Sequence, residues 1–156
     1  MVEMQNESIV TFKGEYSWLS NFHKCKIHNK ITGRTYKSTE HYYVAHKTDD
    51  DKLHQTAMKQ SFKKLKAFGR GLTLRDDWET EKYEIMAQAL YLKFTQHEDL
   101  KEKLLATNDM FILEGNDWHD NYWGACNCNK CASIKGKNTL GQLLMELREF
   151  LKKGQE

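Results

Sequence analysis

The segment "STEHYYVAHK", residues 38–47, crowds Glu40, His41, Tyr42, Tyr43, His46 and Lys47 together with two hydroxyl residues that can cap a helix. If Ser38 or Thr39 is the cap, Glu40 falls in the first turn, where backbone N–H groups and the helix dipole favour its ionised form. A carboxylate held ionised is fit to act as a base or to face a developing cation. Positions seven apart on a helix differ by about 20° in direction and roughly 10 Å along the axis, so Lys47 would share the face of Glu40. That separation is the reach of a phosphorylated sugar. The plainer reading stands beside it: Glu40 improves a helix end and Lys47 is a solvated charge.

A second group lies in "NDWHDNYWGA", residues 116–125, where Asp117, His119 and Asp120 accompany Trp118, Tyr122 and Trp123. A flat ring binds an indole face while a carboxylate handles protons, which suits a nucleobase or sugar substrate. The alternative is a loop whose aromatics only pin it to the body. Directly after it, "CNCNKC" supplies Cys126, Cys128 and Cys131. These thiols can provide three ligands of a structural zinc site, with Cys25 or a His such as His119 as the fourth, or they can be free thiols or redox groups. "RDDW" is a charged N-terminal turn with one core-facing indole, Trp78, and "SNF" around Asn21 and Phe22 reads as a turn. These residues alone point no further than a small-molecule or nucleotide enzyme.

The elements that must position them follow from pattern. "SIVTFKG" and "KCKIHNKITGRTYK" have the β-branched, loosely alternating character of short strands, with turn signals at Gly14, Asn29 and Gly33. Helical character begins at Ser38, continues through "DKLHQTAMKQS" and "FKKLKAFGRG", and the latter is expected to end at Gly69 or Gly71 in the left-handed conformation. In "DDWETEKYEIMAQALYLKF", Trp78, Ile85, Met86, Ala89, Leu90 and Phe94 recur at helical spacing behind an acidic first turn. "EDLKEKLLAT" repeats the pattern, "MFILE" is short enough for a buried strand, and residues 115–138 lack periodicity. "NTLGQLLMELREFLKK" predicts a last amphipathic helix capped by Asn138 or Thr139, with Leu140, Leu143, Leu144, Leu147 and Leu151 inward. No repeat, linker or low-complexity tract appears. The expectation is one α+β domain over 1–156, mainly helical, with a few short strands near the N-terminus and one central strand.

Composition bounds the partners only loosely. The chain has 156 residues and 24 Lys and Arg against 22 Asp and Glu, a net charge of +2, so long-range steering onto nucleic acid would be weak unless the charge is segregated. There is no apolar run near ~18 residues and no basic-then-apolar start, so the sequence predicts a cytoplasmic protein with no membrane partner.

Taken in order, "WLSNF", "GRTYKSTEHYYVAHK", "LRDDW", "KYEIMAQALYLKF", "LLATNDMFILE", "DNYWG" and "KNTLGQLLMELR" resemble the NADAR family, the YbiA-like proteins, over nearly the whole chain. The resemblance implies a YbiA-like fold and hydrolysis of N-glycosidic bonds to ribose. Members act on phosphorylated ribosylamino-pyrimidine intermediates of riboflavin synthesis, and others remove ADP-ribose linked to guanine in nucleic acid. Carried over, the pocket would draw on Asn21, Phe22, Glu40, Lys47, Trp78, Asp120, Trp123 and Asn138. In that scheme Glu40 faces the sugar cation and orients water, and Asp120 donates a proton or anchors a sugar hydroxyl. Lys47 either holds phosphate or attacks an opened ribosylamine as an imine-forming amine. No cofactor is required for catalysis. The cysteine-bearing insert after Gly124 departs from the short Gly-rich connection expected there, which bears on substrate preference more than on chemistry.

Two rival readings use the same residues. A non-catalytic ADP-ribose or nucleotide-binding module would need the aromatics and Lys47 but not Glu40. A zinc-stapled nucleic-acid or interaction module would depend on "CNCNKC" and the Lys-rich "FKKLKAFGR" face.

Overall fold

Turn residues early in the chain and helical spacing after Ser38 build the elements close to where the pattern puts them. The computed structural model of the protein describes residues 7–154. Its elements are β1 (Ser8–Ile9), β2 (Ile27–Asn29), β3 (Arg34–Tyr36), α1 (Thr39–Ala45), α2 (Asp51–Lys59), α3 (Phe62–Arg70), α4 (Trp78–Gln96), α5 (Glu98–Ala106), β4 (Phe111–Ile112), β5 (Gly115–Asn116), β6 (Ala125–Cys126) and α6 (Thr139–Lys153). This is a mainly helical α+β architecture, as the pattern predicts. The chain divides into two compact units, Asn21–His97 and Met1–Ser20 with Glu98–Glu156.

In the Asn21–His97 unit, β2 and β3 pair antiparallel with Ile27 opposite Tyr36. Asn29 closes their turn: its side chain accepts from the N–H groups of Ile31 and Thr32, and Gly33 takes the left-handed conformation at φ 74°. Asp50 and Ser61 cap α2 and α3 by accepting from the N–H groups of Leu53 and Lys64. All six apolar positions read along α4 are buried, and Lys93 is buried among them. The expected left-handed glycine at the end of α3 is not there. Gly71 ends the helix at φ −83°, a conformation open to any residue, and Gly69 lies inside it. Gly69 is small for a different reason: a Cβ there would sit 3.2 Å from a Val44 methyl, so its absence lets α3 approach α1.

In the other unit, β1 and β4 pair in parallel, Ile9 beside Ile112. Leu140, Leu143, Leu144 and Leu151 of α6 are buried as expected, while Leu147 is half-buried and Arg148 takes an inward place. The Arg148 Nη1 donates to Thr107 Oγ1 and the Met110 carbonyl, both at 2.9 Å. The aperiodic stretch contains one further strand pair, β5 with β6 in parallel, Asn116 beside Cys126. Among the described residues no helix is long and apolar enough to cross a membrane.

Candidate active site

Helix α1 distributes its polar side chains by face, which accounts for their crowding in sequence. Ser38 caps it by accepting from the His41 N–H. His41 is fully buried: its Nε2 donates to the Gln60 carbonyl at 2.7 Å and its Nδ1 lies 2.7 Å from Ser38 Oγ. Tyr42 and His46, four apart and therefore on one face, join Tyr36 and His54 in an aromatic cluster. There Tyr36 Oη and His54 Nε2 are hydrogen-bonded at 2.8 Å. Burial pushes the Tyr36 phenol up to about 12 and, with the neighbouring His46 and Arg34 charges, pulls His54 down to about 4. These groups are structural partners of one another.

The remaining face carries Glu40, Tyr43 and Lys47. The helix is shorter than the sequence suggests: it ends at Ala45, and Lys47 follows the His46 cap with its N–H donating to the Val44 carbonyl at 3.1 Å. The expectation that Glu40 and Lys47 lie on one continuous helix is thereby corrected. Burial lowers the Lys47 pKa and attraction to Glu40 opposes part of that. The ammonium sits 5.2 Å from the centroid of Tyr43 and 6.0 Å from that of Trp78, within the range in which a ring face attracts a cation. Tyr43 and Trp78 pack with centroids 5.0 Å apart.

Two turns position this group. Asn21 is buried beside the start of α1, where its carbonyl accepts from the Glu40 N–H at 3.0 Å and its Oδ1 accepts from Thr39 Oγ1 at 3.1 Å. Phe22 beside it is 38% exposed. The "RDDW" turn reaches Lys47 directly: the Arg75 N–H donates to the Lys47 carbonyl at 2.8 Å, and the guanidinium pairs with Asp77 at the start of α4. Asn21, Glu40, Lys47 and Trp78 are thus brought together within one unit.

Asp120, Trp123 and Asn138 belong to the other unit, where they form one hydrogen-bonded system. Asp120 Oδ1 accepts from the N–H groups of Tyr122 at 3.1 Å and Trp123 at 2.9 Å, which is why an aspartate three residues ahead of the tryptophan shapes this turn. Asn138 stands ahead of α6 at φ 52° but its side chain does not cap the helix, contrary to expectation. Its Oδ1 accepts from the Glu114 N–H and its Nδ2 donates to the Ile112 carbonyl, both at 2.9 Å. A Cβ on Gly141 would fall 2.4 Å from that amide, so the glycine makes room for it. The amides of Lys137, Asn138, Thr139 and Leu140 donate to the carbonyls of Asn121, Gly124, Tyr122 and Trp123 at 2.9–3.1 Å. The loop and the start of α6 are therefore laced together.

Glu114 is a buried carboxylate that pattern reading passes over as the end of "MFILE". Its Oε2 accepts from Asn116 Nδ2 at 3.1 Å, and a Cβ on Gly124 would lie 1.8 Å from the same oxygen. Gly124 is glycine because this carboxylate occupies the space. The available signal was an acid ending an apolar strand ahead of Trp-Gly.

In the same loop, His119 Nδ1 and the sulfurs of Cys126, Cys128 and Cys131 all lie within 4.8 Å of one another, a donor set that fits a metal ion. Cys25, the other fourth ligand considered, belongs to the Asn21–His97 unit, where its charge bears on Lys93. Burial lowers the pKa of Lys93 to about 8, with Cys25 opposing.

This fold and these constellations mark a class of helical α+β proteins, and sequence comparison names it. The NADAR domain matches residues 10–152, so the chain belongs to the NADAR family. It is 37% identical over 154 residues to "N-glycosidase YbiA" of Escherichia coli K12, covering 95% of this chain and 91% of that one. It is 32% identical to a riboflavin biosynthesis protein of Vibrio vulnificus over 87% of this chain and 36% of that one. The NMR structure of the E. coli protein YbiA superposes with a TM-score of 0.81 at 35% identity, over 97% of this chain and 89% of that chain.

Proposed function

We propose that the protein is an N-glycosidase that hydrolyses the bond between ribose and a base or amine nitrogen, with phosphorylated ribosylamino-pyrimidines of riboflavin synthesis as its substrate class. Family membership and the names of its relatives support the activity and the substrate class. The observation that carries it is the half-buried Lys47 ammonium set 5.2 Å and 6.0 Å from the Tyr43 and Trp78 ring centroids, just past the helix whose first turn holds Glu40.

Cleavage of a ribose N-glycosidic bond builds positive charge on the anomeric carbon and ring oxygen, and the departing nitrogen takes up a proton. Glu40 faces that charge and orients the attacking water, and the buried Asn21 fixes its place at the helix start. Lys47 holds the substrate phosphate, and Trp78 walls the ligand with Tyr43. Asn21 and the neighbouring Phe22 complete this side. Within its own unit, Trp123 is the aromatic side chain suited to stacking on a base. Asp120 and Asn138 act through the loop that carries Trp123, since Asp120 Oδ1 and both ends of the Asn138 amide hold backbone groups. Water is the only co-reactant. The functional unit is one domain over 1–156, working in the cytoplasm.

The test offers the purified protein a ribosylamino-pyrimidine phosphate and, side by side, ADP-ribosyl-guanine in single-stranded DNA. Release of ribose phosphate from the first supports the reading. Release of ADP-ribose from the second alone would make it an ADP-ribosyl-guanine hydrolase, and binding without release would make it a recognition module.

A further inference from the structure

We propose that His119, Cys126, Cys128 and Cys131 hold one zinc ion in a closed tetrahedral site that fixes the loop carrying Asp120 and Trp123. The inference stands apart from the N-glycosidase reading, because it concerns what the loop binds whatever the protein hydrolyses.

The geometry is the first argument. Zinc bonds of about 2.3 Å to sulfur and about 2.0–2.1 Å to nitrogen, set at the tetrahedral angle, place N and S about 3.6 Å apart. His119 Nδ1 lies 3.3 Å from Cys128 Sγ, 3.4 Å from Cys131 Sγ and 3.9 Å from Cys126 Sγ, which straddles that value. Four donor atoms from four residues converge, so the coordination shell is filled and no position is left for water or substrate. Three soft thiolates with one imidazole select zinc over hard cations such as magnesium or calcium.

The backbone is the second argument, for each ligand is placed by contacts of its own. Cys126 lies on β6 beside Asn116, its N–H donating to Asn121 Oδ1 at 3.0 Å. The N–H of Cys128 points at Cys126 Sγ from 3.5 Å, the amide-to-sulfur contact that offsets charge on a metal-bound thiolate. A single 3₁₀ turn, Asn129–Cys131, brings Cys131 back. His119 arrives from the other side of the loop with φ 70°, a left-handed conformation that is unfavourable for a non-glycine residue. Asn116 defines that turn: its Oδ1 accepts from the N–H groups of Trp118 and Asp120, and its Nδ2 donates to the Asp120 carbonyl. A bond from the imidazole to a metal offsets the strain at His119. It also ties the residue next to Asp120 to the far end of the insert. On binding, each cysteine thiol gives up its proton and the neutral imidazole donates its Nδ1 lone pair, so affinity rises with pH.

The test uses the full chain purified without chelator. Elemental analysis should find about one zinc per chain, and replacement by cobalt(II) should give thiolate charge-transfer bands with the visible absorption of a tetrahedral site. His119→Cys should keep the metal and shift the cobalt spectrum toward that of four thiolates, whereas Cys128→Ser should weaken zinc binding by at least about tenfold. Hydrogen exchange at the Tyr122 and Trp123 amides should quicken after chelation. Absence of stoichiometric zinc, both as purified and after incubation with excess zinc, overturns the proposal. So does a cobalt spectrum that His119→Cys leaves unchanged, or tight binding of another metal in place of zinc. The wild-type cobalt spectrum decides the matter even if a variant fails to fold.

Discussion

The amide of Arg75 donates to the carbonyl of Lys47 at 2.8 Å, so the turn before α4 sets where the Lys47 side chain leaves the end of α1. The guanidinium reinforces the contact by pairing with Asp77 and reaching the His46 carbonyl at 3.5 Å. Arg75→Ala keeps the backbone bond but frees the turn. We expect kcat/KM to fall about tenfold, which corresponds to about 1.4 kcal/mol. Thermal stability should change little, because such a partly exposed ion pair contributes about 0–1 kcal/mol. Full activity in the variant would mean that Lys47 needs no such support.

Lys47→Met should act selectively. If the ammonium holds phosphate, its loss removes a charge-assisted hydrogen bond of about 1.5–3 kcal/mol and raises KM for a phosphorylated substrate by about 10- to 150-fold. KM for the unphosphorylated analogue should stay nearly unchanged. Borohydride trapping of a substrate adduct on Lys47 would assign the residue to imine chemistry instead.

For Glu40→Gln the fold and ligand affinity should persist, because the Glu40 backbone bond to Asn21 does not involve the carboxylate. Turnover should fall by at least about 10²-fold, the usual scale for an acid–base group. Single-turnover kinetics read this directly; a variant keeping more than about a tenth of the wild-type rate would remove Glu40 from the chemistry.

Asp120 and Trp123 are separable by paired substitutions. Asp120→Asn keeps an Oδ1 to accept from the Tyr122 and Trp123 amides, so a loop-shaping role predicts that it retains most activity while Asp120→Ala does not. Loss of turnover in Asp120→Asn equal to that in Asp120→Ala would restore Asp120 as a proton donor. Trp123→Ala should weaken substrate binding by about 1–3 kcal/mol if it stacks on a base, which calorimetry can measure.

The buried imidazole of His54 gives the fold a pH dependence. Its pKa lies near 4 in the folded protein against 6.5 as its ordinary value. The unfolded chain therefore binds the proton first as pH falls, and stability from this group declines between about pH 6.5 and 4. The cause is local: burial disfavours the charged imidazole, and the neighbouring His46 and Arg34 charges add to it. His54→Gln keeps an acceptor for Tyr36 without titrating, so chemical denaturation over that range should show a flatter acid limb. An unchanged limb would place the acid sensitivity elsewhere.

Long periodic segments were legible in the sequence: the six apolar positions of α4 all point inward, and Ser38 caps α1 as its residue type suggests. What escaped pattern reading was set by distant neighbours. The short β5 and β6 use Gly, Asn, Ala and Cys, which carry little strand preference and pair only because the loop returns on itself. Asn138 looked like a cap, but its amide is drawn to backbone groups 24 and 26 residues back in the chain. Glu114 stayed hidden because its only local signal, an acid closing the apolar run "MFILE", does not by itself mark a carboxylate as buried. Gly69, a candidate left-handed helix end by sequence, lies inside α3 and gives clearance for Val44. In the candidate site, the residue types were legible in the sequence, whereas the backbone partners of Asp120 and Asn138 were set by the fold.

The lacing of the loop onto α6 carries a consequence for what that helix end can bind. The open end of a helix is ordinarily a ready anion cradle, since its first amides have no partner and its dipole is positive there. In α6 the amides of Thr139 and Leu140, with Lys137 and Asn138 just before them, are already taken by four carbonyls of the loop. The dipole of this helix is thereby turned inward and stabilises the protein's own chain. The amides of Thr139 and Leu140 are therefore not on offer to an anion, and the start of α6 serves to anchor the loop instead of a ligand.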